Sequence, residues 1–424
     1  MKKLRILVLT NIEWSDENAF GNTMSNLLGE MPDADIACLY RRNAKPKNNV
    51  CNKYYKISYS SVVKNFFHPQ KIGEYQENLT LSDNEEVDKV QKREGKLVSF
   101  IHKWKLTRLA YRMEDFLLKN KCWENEKFKK FILDFNPNFI IGFTSALLMN
   151  GLLVESILKL IPKCKYITFL TDDLFGSNKS KKVRENLKKQ ILLAKKRYAI
   201  TESLKKRYEE IYGVDFEILR KGCSFETPVL KKNNQKIIIT YAGNLLYGRA
   251  NTLVSLAREI EKINKNSIHN FYLKIYSPTL VSDLQKRELS IEGASEFCGA
   301  EPYEKIKMFL RESDLVLHVE SFEKKQKEIV KYSFSTKITD CLQSGSVLLA
   351  IGPEGLASIE AAKNIPGSVV VNDLTKLGDV LLSVVNMDFY NEAMKTREYA
   401  KKHYGIKEIR AQLLETLNAL ATAD

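Results

Sequence analysis

The chain has 424 residues, 44% hydrophobic and 28% charged, and its 67 Lys and Arg against 52 Asp and Glu give a formal net charge of +15. That length exceeds one ordinary core and predicts two domains, while the composition is that of a soluble globular protein and excludes a disordered or fibrous chain. Lysine is spread through most segments without a helix-turn-helix, zinc-finger or RNP pattern, so the charge points to an anionic substrate or membrane surface and away from nucleic acid.

The opening stretch Met1 to Asn11 has too short an apolar core for a secretory signal and lacks a small-residue cleavage site, so it reads as a first buried strand. No apolar run approaches the roughly eighteen residues of a membrane span. Seven cysteines (38, 51, 122, 164, 223, 298 and 341) are scattered, odd in number and without a CxxC pair, which fits reduced thiols in a cytoplasm and no zinc site.

Short aliphatic or β-branched runs then alternate with helical stretches, the pattern of parallel α/β sheets. The first half predicts strands at Arg5–Thr10, Asp35–Leu39, Tyr54–Ser58, Phe139–Phe143, Tyr166–Leu170, Tyr198–Ile200 and Phe216–Leu219. The second half predicts Lys236–Tyr241, Phe271–Tyr276, Glu296–Cys298, Leu315–Val319, Val347–Ile351 and Ser368–Val371. Between the third and fourth strands, 69–96 is polar and reads as loop. The following stretch, 97–118, sets Trp104 and other apolar residues among Lys103, Lys105 and Arg108 as a basic amphipathic helix, either covering its own sheet or docking on a membrane. The junction falls near Lys221-Gly222-Cys223-Ser224, followed by a polar 231–235 linker. This gives an N-terminal domain at 1–222, a C-terminal one at 223–389, and helices in 390–424 expected to cross back to the first.

Two constellations carry chemistry. The first is Ser335-Thr336-Lys337-Ile338-Thr339-Asp340, opening a short helix that Gly345 closes before a buried strand. Lys337 and Asp340 stand at i and i+3, which makes them either a surface ion pair or, with the helix N-terminal amides, a site for a phosphate and a sugar diol. The second is Gly243-Asn244 after the strand at 236–241, with Arg249 at the mouth of the next helix. It is either a simple strand-to-helix turn or a place where backbone and guanidinium approach a diphosphate. The histidines at 68, 102, 269, 318 and 403 are dispersed and read as structural or surface residues.

Together these features resemble the GT-B glycosyltransferases, closest to the retaining group 1 (GT4-like) enzymes of bacterial capsule and lipopolysaccharide synthesis. Gly243 falls on that family's glycine, Asn244 replaces its arginine and Arg249 stands where its lysine does. Ser321 matches the serine after a buried strand, and Asp340 takes the place of the carboxylate that holds the donor ribose. Two departures are plain, since Tyr332 replaces the first motif glutamate and Asp340 shortens the second.

The resemblance implies an α/β fold of two Rossmann-like domains facing across a cleft. It also implies retaining transfer of a hexose from a nucleoside-diphosphate sugar to an acceptor hydroxyl, without a metal or other cofactor. Gly243, Asn244, Arg249, Ser321, Ser335, Thr336, Lys337 and Asp340 would bind the donor, with Arg249 and Lys337 stabilising the departing diphosphate. In the first domain Gly21 and Asn22 fall on the family's acceptor loop. Asp172 and Asp173 fall where many relatives carry a histidine-aspartate pair, as a catalytic and an acceptor residue or as a solvated loop cap. The acceptor would be a glycan or a polyprenyl-diphosphate-linked molecule, handled in the cytoplasm or peripherally on the inner membrane face. A GT-B nucleotide-sugar epimerase and a catalytically silent binding relative are the alternatives.

Overall fold

The computed structural model describes residues 3–77, 120–228 and 236–422. The chain divides into two units, one of Met1–Ile200, Leu204–Leu219 and Arg410–Asp424, the other of Thr201–Ser203 and Arg220–Ile409.

Unit 1 holds strands β1 (Leu4–Leu9), β2 (Ala34–Tyr40), β3 (Lys53–Lys56), β4 (Glu74–Glu77), β5 (Phe139–Phe143), β6 (Lys165–Leu170), β7 (Lys196–Ala199) and β8 (Glu217–Ile218). They form one sheet in the order β4-β3-β2-β1-β5-β6-β7-β8, parallel except for β4, which runs antiparallel to β3. Runs such as LRILVL are almost wholly buried because helices cover the sheet, so they read as near-continuous apolar stretches and not as alternating ones. One face packs Leu7, Leu9, Ala37, Leu39 and Tyr55 against Phe128 and Ile132 of the helix Glu126–Phe135 and against Met149 and Leu153 of the helix Leu148–Leu160.

Unit 2 holds β9 (Ile237–Ala242), β10 (Phe271–Tyr276), β11 (Ser295–Gly299), β12 (Leu315–Val319), β13 (Val347–Ile351) and β14 (Val369–Val371). Their order, β11-β10-β9-β12-β13-β14, is that of a doubly wound Rossmann sheet. The direction reverses between β9 and β12, which pair in parallel with Leu315 opposite Ile239. Ile239, Tyr241, Leu273 and Leu317 join Leu253, Leu256 and Ile260 of the helix Arg249–Asn266 in its core.

The expected strands are all present, with shifts of at most two residues at their ends. One correction concerns 69–96, expected to be loop throughout. Glu74–Glu77 is a strand, and its sequence EYQE hides it because an edge strand needs no apolar face of its own when the ladder to β3 supplies its hydrogen bonds. The basic amphipathic stretch 97–118 and the linker 231–235 lie outside the described residues. All seven cysteines are free thiols, and among the described residues no helix is long and apolar enough to cross a membrane.

Candidate functional site

In unit 2 the expected donor residues gather at the carboxyl ends of β9 and β12, the switch point where doubly wound sheets bind ligands. β9 runs into Gly243, whose N–H donates to the Tyr276 carbonyl at 3.0 Å and so fixes the turn to the neighbouring strand. A Cβ at Gly243 would overlap Cε of Lys337, stand 2.8 Å from its Cδ and lie 2.9 Å from the Tyr241 hydroxyl. The glycine is therefore what lets the lysine side chain cross this strand end. The loop then bends through two successive left-handed residues, Tyr247 at φ 58° and Gly248 at φ 74°. A non-glycine residue held there stores about 1–3 kcal/mol of strain, and such strain collects at functional sites.

Arg249 opens the next helix, but its guanidinium is not free as the sequence reading expected. Its side chain is only 9% exposed. Nη2 donates to Glu320 Oε1 at 3.0 Å, Nε to Glu320 Oε2 at 3.2 Å, and Nη1 to Asn244 Oδ1 at 2.8 Å. Glu320 is thus the residue that sequence reasoning missed. It follows the apolar run of β12 directly, and nothing in one sequence says that the position after that run faces Arg249. Burial would raise the Glu320 carboxyl, yet His318 and Arg249 together hold it down at about 2. His318 is itself 1% exposed, a buried neighbour of the site, with Nε2 3.4 Å from Glu320 Oε1. That approach is too poorly aligned to satisfy the ring, and both its nitrogens lack a hydrogen-bond partner.

The helix Thr336–Gln343 follows, with Ser335 at its N-cap making no side-chain capping bond; the Ile338 N–H donates to the Ser335 carbonyl at 3.0 Å, and the Thr336 and Lys337 amides stand before it at the helix start. Gly345, at φ 74°, ends it as expected. Lys337 and Asp340 do not behave as a self-contained surface pair. The ion-pair partner of Asp340 is Lys221, 3.6 Å away, and Asp340 Oδ1 is buried without a hydrogen-bond partner. Tyr303 lies near enough for its phenol to be pushed up to about 12, by burial first and then by the Asp340 charge. The Lys337 ammonium is lowered from its ordinary value, first by burial and then by the charge of Arg249. Ser321 is 2% exposed; its hydroxyl accepts from the Glu323 N–H at 3.1 Å and faces Gly248.

In unit 1 the four expected residues lie at the carboxyl ends of β1 and β6. Gly21 sits inside the helix Ala19–Leu28 against the backbone of Ser15, where a Cβ would collide with the Ser15 carbonyl oxygen, so its absent side chain is a packing requirement. Asn22 reaches the Asp16 carbonyl at 3.5 Å. Asp173 caps a short helix by accepting from the Gly176 N–H at 3.0 Å and stands 3.0 Å from Arg207 Nε. Asp172 is exposed beside it, accepting from the Thr171 hydroxyl at 3.2 Å. The loops after β1 and β5 are joined here by Asn11 donating to Ser145 Oγ at 3.0 Å.

No family model matches the sequence, and no curated protein matches it in sequence. Solved structures do match in fold over nearly the whole chain. Anabaena HepE, crystallised with UDP and glucose, aligns with a TM-score of 0.59 at 10% identity, covering 98% of this chain and 100% of its own. A trehalose 6-phosphate synthase from Burkholderia multivorans aligns at 0.58 and 12% identity over 99% and 97%. A glycosyltransferase from Rickettsia africae aligns at 0.59 and 11% identity over the whole of both chains. The fold is therefore the α/β GT-B fold expected from the sequence.

Proposed function

We propose that this protein is a glycosyltransferase that takes a hexose from a nucleoside-diphosphate sugar bound in unit 2. One observation carries the reading. At the switch point of a Rossmann sheet a desolvated Lys337, a buried Asp340 carboxylate oxygen that lies 3.6 Å from Lys221 and makes no hydrogen bond, and a helix N-terminus without a side-chain cap come together. An anionic diphosphate would compensate the lysine and engage the amides, and a ribose hydroxyl would satisfy the carboxylate. HepE, in complexes with UDP and with UDP-glucose, is a protein of the same fold that binds such a ligand.

The bond from the anomeric carbon to the diphosphate oxygen breaks, and a bond from that carbon to the acceptor hydroxyl oxygen forms with retention. The acceptor's proton passes to the departing diphosphate or to a carboxylate, for which Asp172 is the candidate. Lys337 meets the negative charge that develops on the leaving group. Arg249, already clamped by Glu320, orders the Asn244 loop and adds to the positive field. This reading assigns the charge stabilisation to these cations and needs no metal.

We further place the reaction in cell-surface glycan synthesis, with Gly21, Asn22 and Asp173 near the acceptor and a net charge of +15 favouring an anionic membrane face. Thermal shifts with UDP-, GDP- and ADP-sugars test the donor, since a ligand at a hundred times its dissociation constant adds about 2.7 kcal/mol. No shift with any nucleotide sugar would reject the donor site. Proton NMR of the product's anomeric centre then decides retention. Co-sedimentation that does not depend on anionic lipid would remove the membrane placement alone.

A further inference from the structure

A cavity lies at the amino-terminal edge of the unit 1 sheet. It encloses about 680 Å³, and Arg5, Asp35, Lys53, Tyr55, Gly73, Tyr75, Lys127 and Phe131 are among the residues around it. Its floor is unusual for a sheet face. On β1, β2 and β3 the inward positions further along are Leu7 and Leu9, Ala37 and Leu39, and Tyr55, with Ile57 just past the end of β3. The first position of that alternating set is charged on each strand, Arg5, Asp35 and Lys53, and the strand register sets Arg5 opposite Asp35.

Aromatic rings make the walls. Tyr55 and Phe131 are stacked at 4.9 Å and 20°, Phe131 continues to Phe135 at 6.4 Å and 8°, and Tyr75 closes on Phe131 at 5.8 Å. The volume suits a small organic ligand, and aromatic walls with Tyr75 half-exposed suit a flat one.

The charges are unequally matched. Asp35 holds Lys53 at 3.0 Å, Glu74 holds Lys56 at 2.9 Å, and Asp134 lies 3.5 Å from Lys130. Among the described residues no carboxylate stands within ion-pair distance of Arg5 or Lys127. Arg5 Nε is buried without a hydrogen-bond partner, and so is the hydroxyl of Tyr55, a residue only 1% exposed. That hydroxyl packs against the backbone of Gly73, at φ 86°, where any Cβ would overlap it. Two buried polar groups left unmatched beside aromatic walls call for a partner that brings both an acceptor and a ring.

We infer that this cavity is a binding site for a small planar aromatic anion, its carboxylate or phosphate received by Arg5 and Tyr55 and its ring stacked along Tyr55, Phe131 and Tyr75. The site is separate from the nucleotide site of unit 2 and does not rest on glycosyl transfer. The test is calorimetric titration of the full-length protein with 2-naphthoate, and with the neutral 2-naphthalenemethanol as control, each with and without saturating UDP. Expected are saturable binding of naphthoate, weakened by salt and indifferent to UDP, and weaker binding of the alcohol.

Arg5→Met should weaken naphthoate about tenfold and leave the alcohol unchanged. Tyr75→Ala, on the exposed edge strand, should weaken both while the thermal melt stays that of the parent. Tyr55→Phe, which removes only the hydroxyl, separates the polar contact from folding. Absence of saturable binding to the folded protein, equal binding of acid and alcohol, insensitivity to Arg5→Met, or displacement by UDP would each overturn the inference.

Discussion

Lys337 and Arg249 were equivalent cations on the sequence, and the structure gives them different work. Lys337 is half-buried near Arg249, so Lys337→Ala should lower turnover by about 2–4 kcal/mol while changing the melting temperature little. Kinetics and a melt on the same sample check this; an equal loss of both would mean that the lysine is structural. Binding an anion restores the lowered ammonium toward its usual value, so nucleotide affinity should fall with rising pH at a lower pH than an ordinary lysine would give. Titrations from neutral to alkaline pH should show that decline in the parent and not in Lys337→Ala. Arg249→Ala, by contrast, strands the buried Glu320 carboxylate and should cost about 3–5 kcal/mol of stability. Because Glu320 is depressed to about 2 in the folded protein, its stabilising effect is complete above the unfolded value near 4.5 and is lost as pH falls through about 2. The difference in melting temperature between the parent and Glu320→Gln should therefore shrink through that acid window.

At the scale of elements, the loop between β9 and the helix Arg249–Asn266 contains two glycines with opposite purposes. At Gly248 the left-handed backbone resists any side chain, and a Cβ would come 2.5 Å from Ser321 Oγ. Gly248→Ala should cost about 1–3 kcal/mol in chemical denaturation. Gly243 has no such backbone demand; a Cβ there displaces mainly the flexible end of Lys337. Gly243→Ala should keep the stability within about 1 kcal/mol of the parent and weaken nucleotide binding instead, because it moves the ammonium. Should calorimetry find the two variants alike in both respects, the distinction between turn and site would be lost.

For the molecule as a whole, the last helix, Ile406–Thr422, begins in unit 2 and belongs to unit 1 from Arg410 onward. Arg410 donates to the Asn26 carbonyl at 2.8 Å and pairs with Glu30 at 2.6 Å, and Tyr198 donates to Thr416 at 3.0 Å. Leu413 and Leu417 are fully buried, together worth about 3–6 kcal/mol. Ending the chain after Ile409 should lower the stability of unit 1 by that order in differential scanning calorimetry. Protection of unit 2 by nucleotide should survive, since Gly243, Arg249, Lys337 and Asp340 all lie within it.

Periodicity was enough for the sheets. The runs LRILVL, LVLHV and VLLAI read as buried parallel strands because they are short, aliphatic and bounded by polar or turn residues, as strands covered on both faces are. Gly345 was legible for a related reason: ending its own helix in the left-handed conformation depends only on neighbours a few residues away along the chain. What lay beyond the sequence depends on partners distant in it. Glu320 is 71 residues from Arg249, and Lys221 is more than a hundred from Asp340. Tertiary packing brings those groups together, and pairing turns Arg249 from a free cation into an anchored one. The same holds for β4 and for the Arg5, Asp35 and Lys53 floor, where each residue looks ordinary in its own segment. A charge at a strand's first inward position acquires meaning only when the parallel register sets it beside two others and a helix closes the space above them.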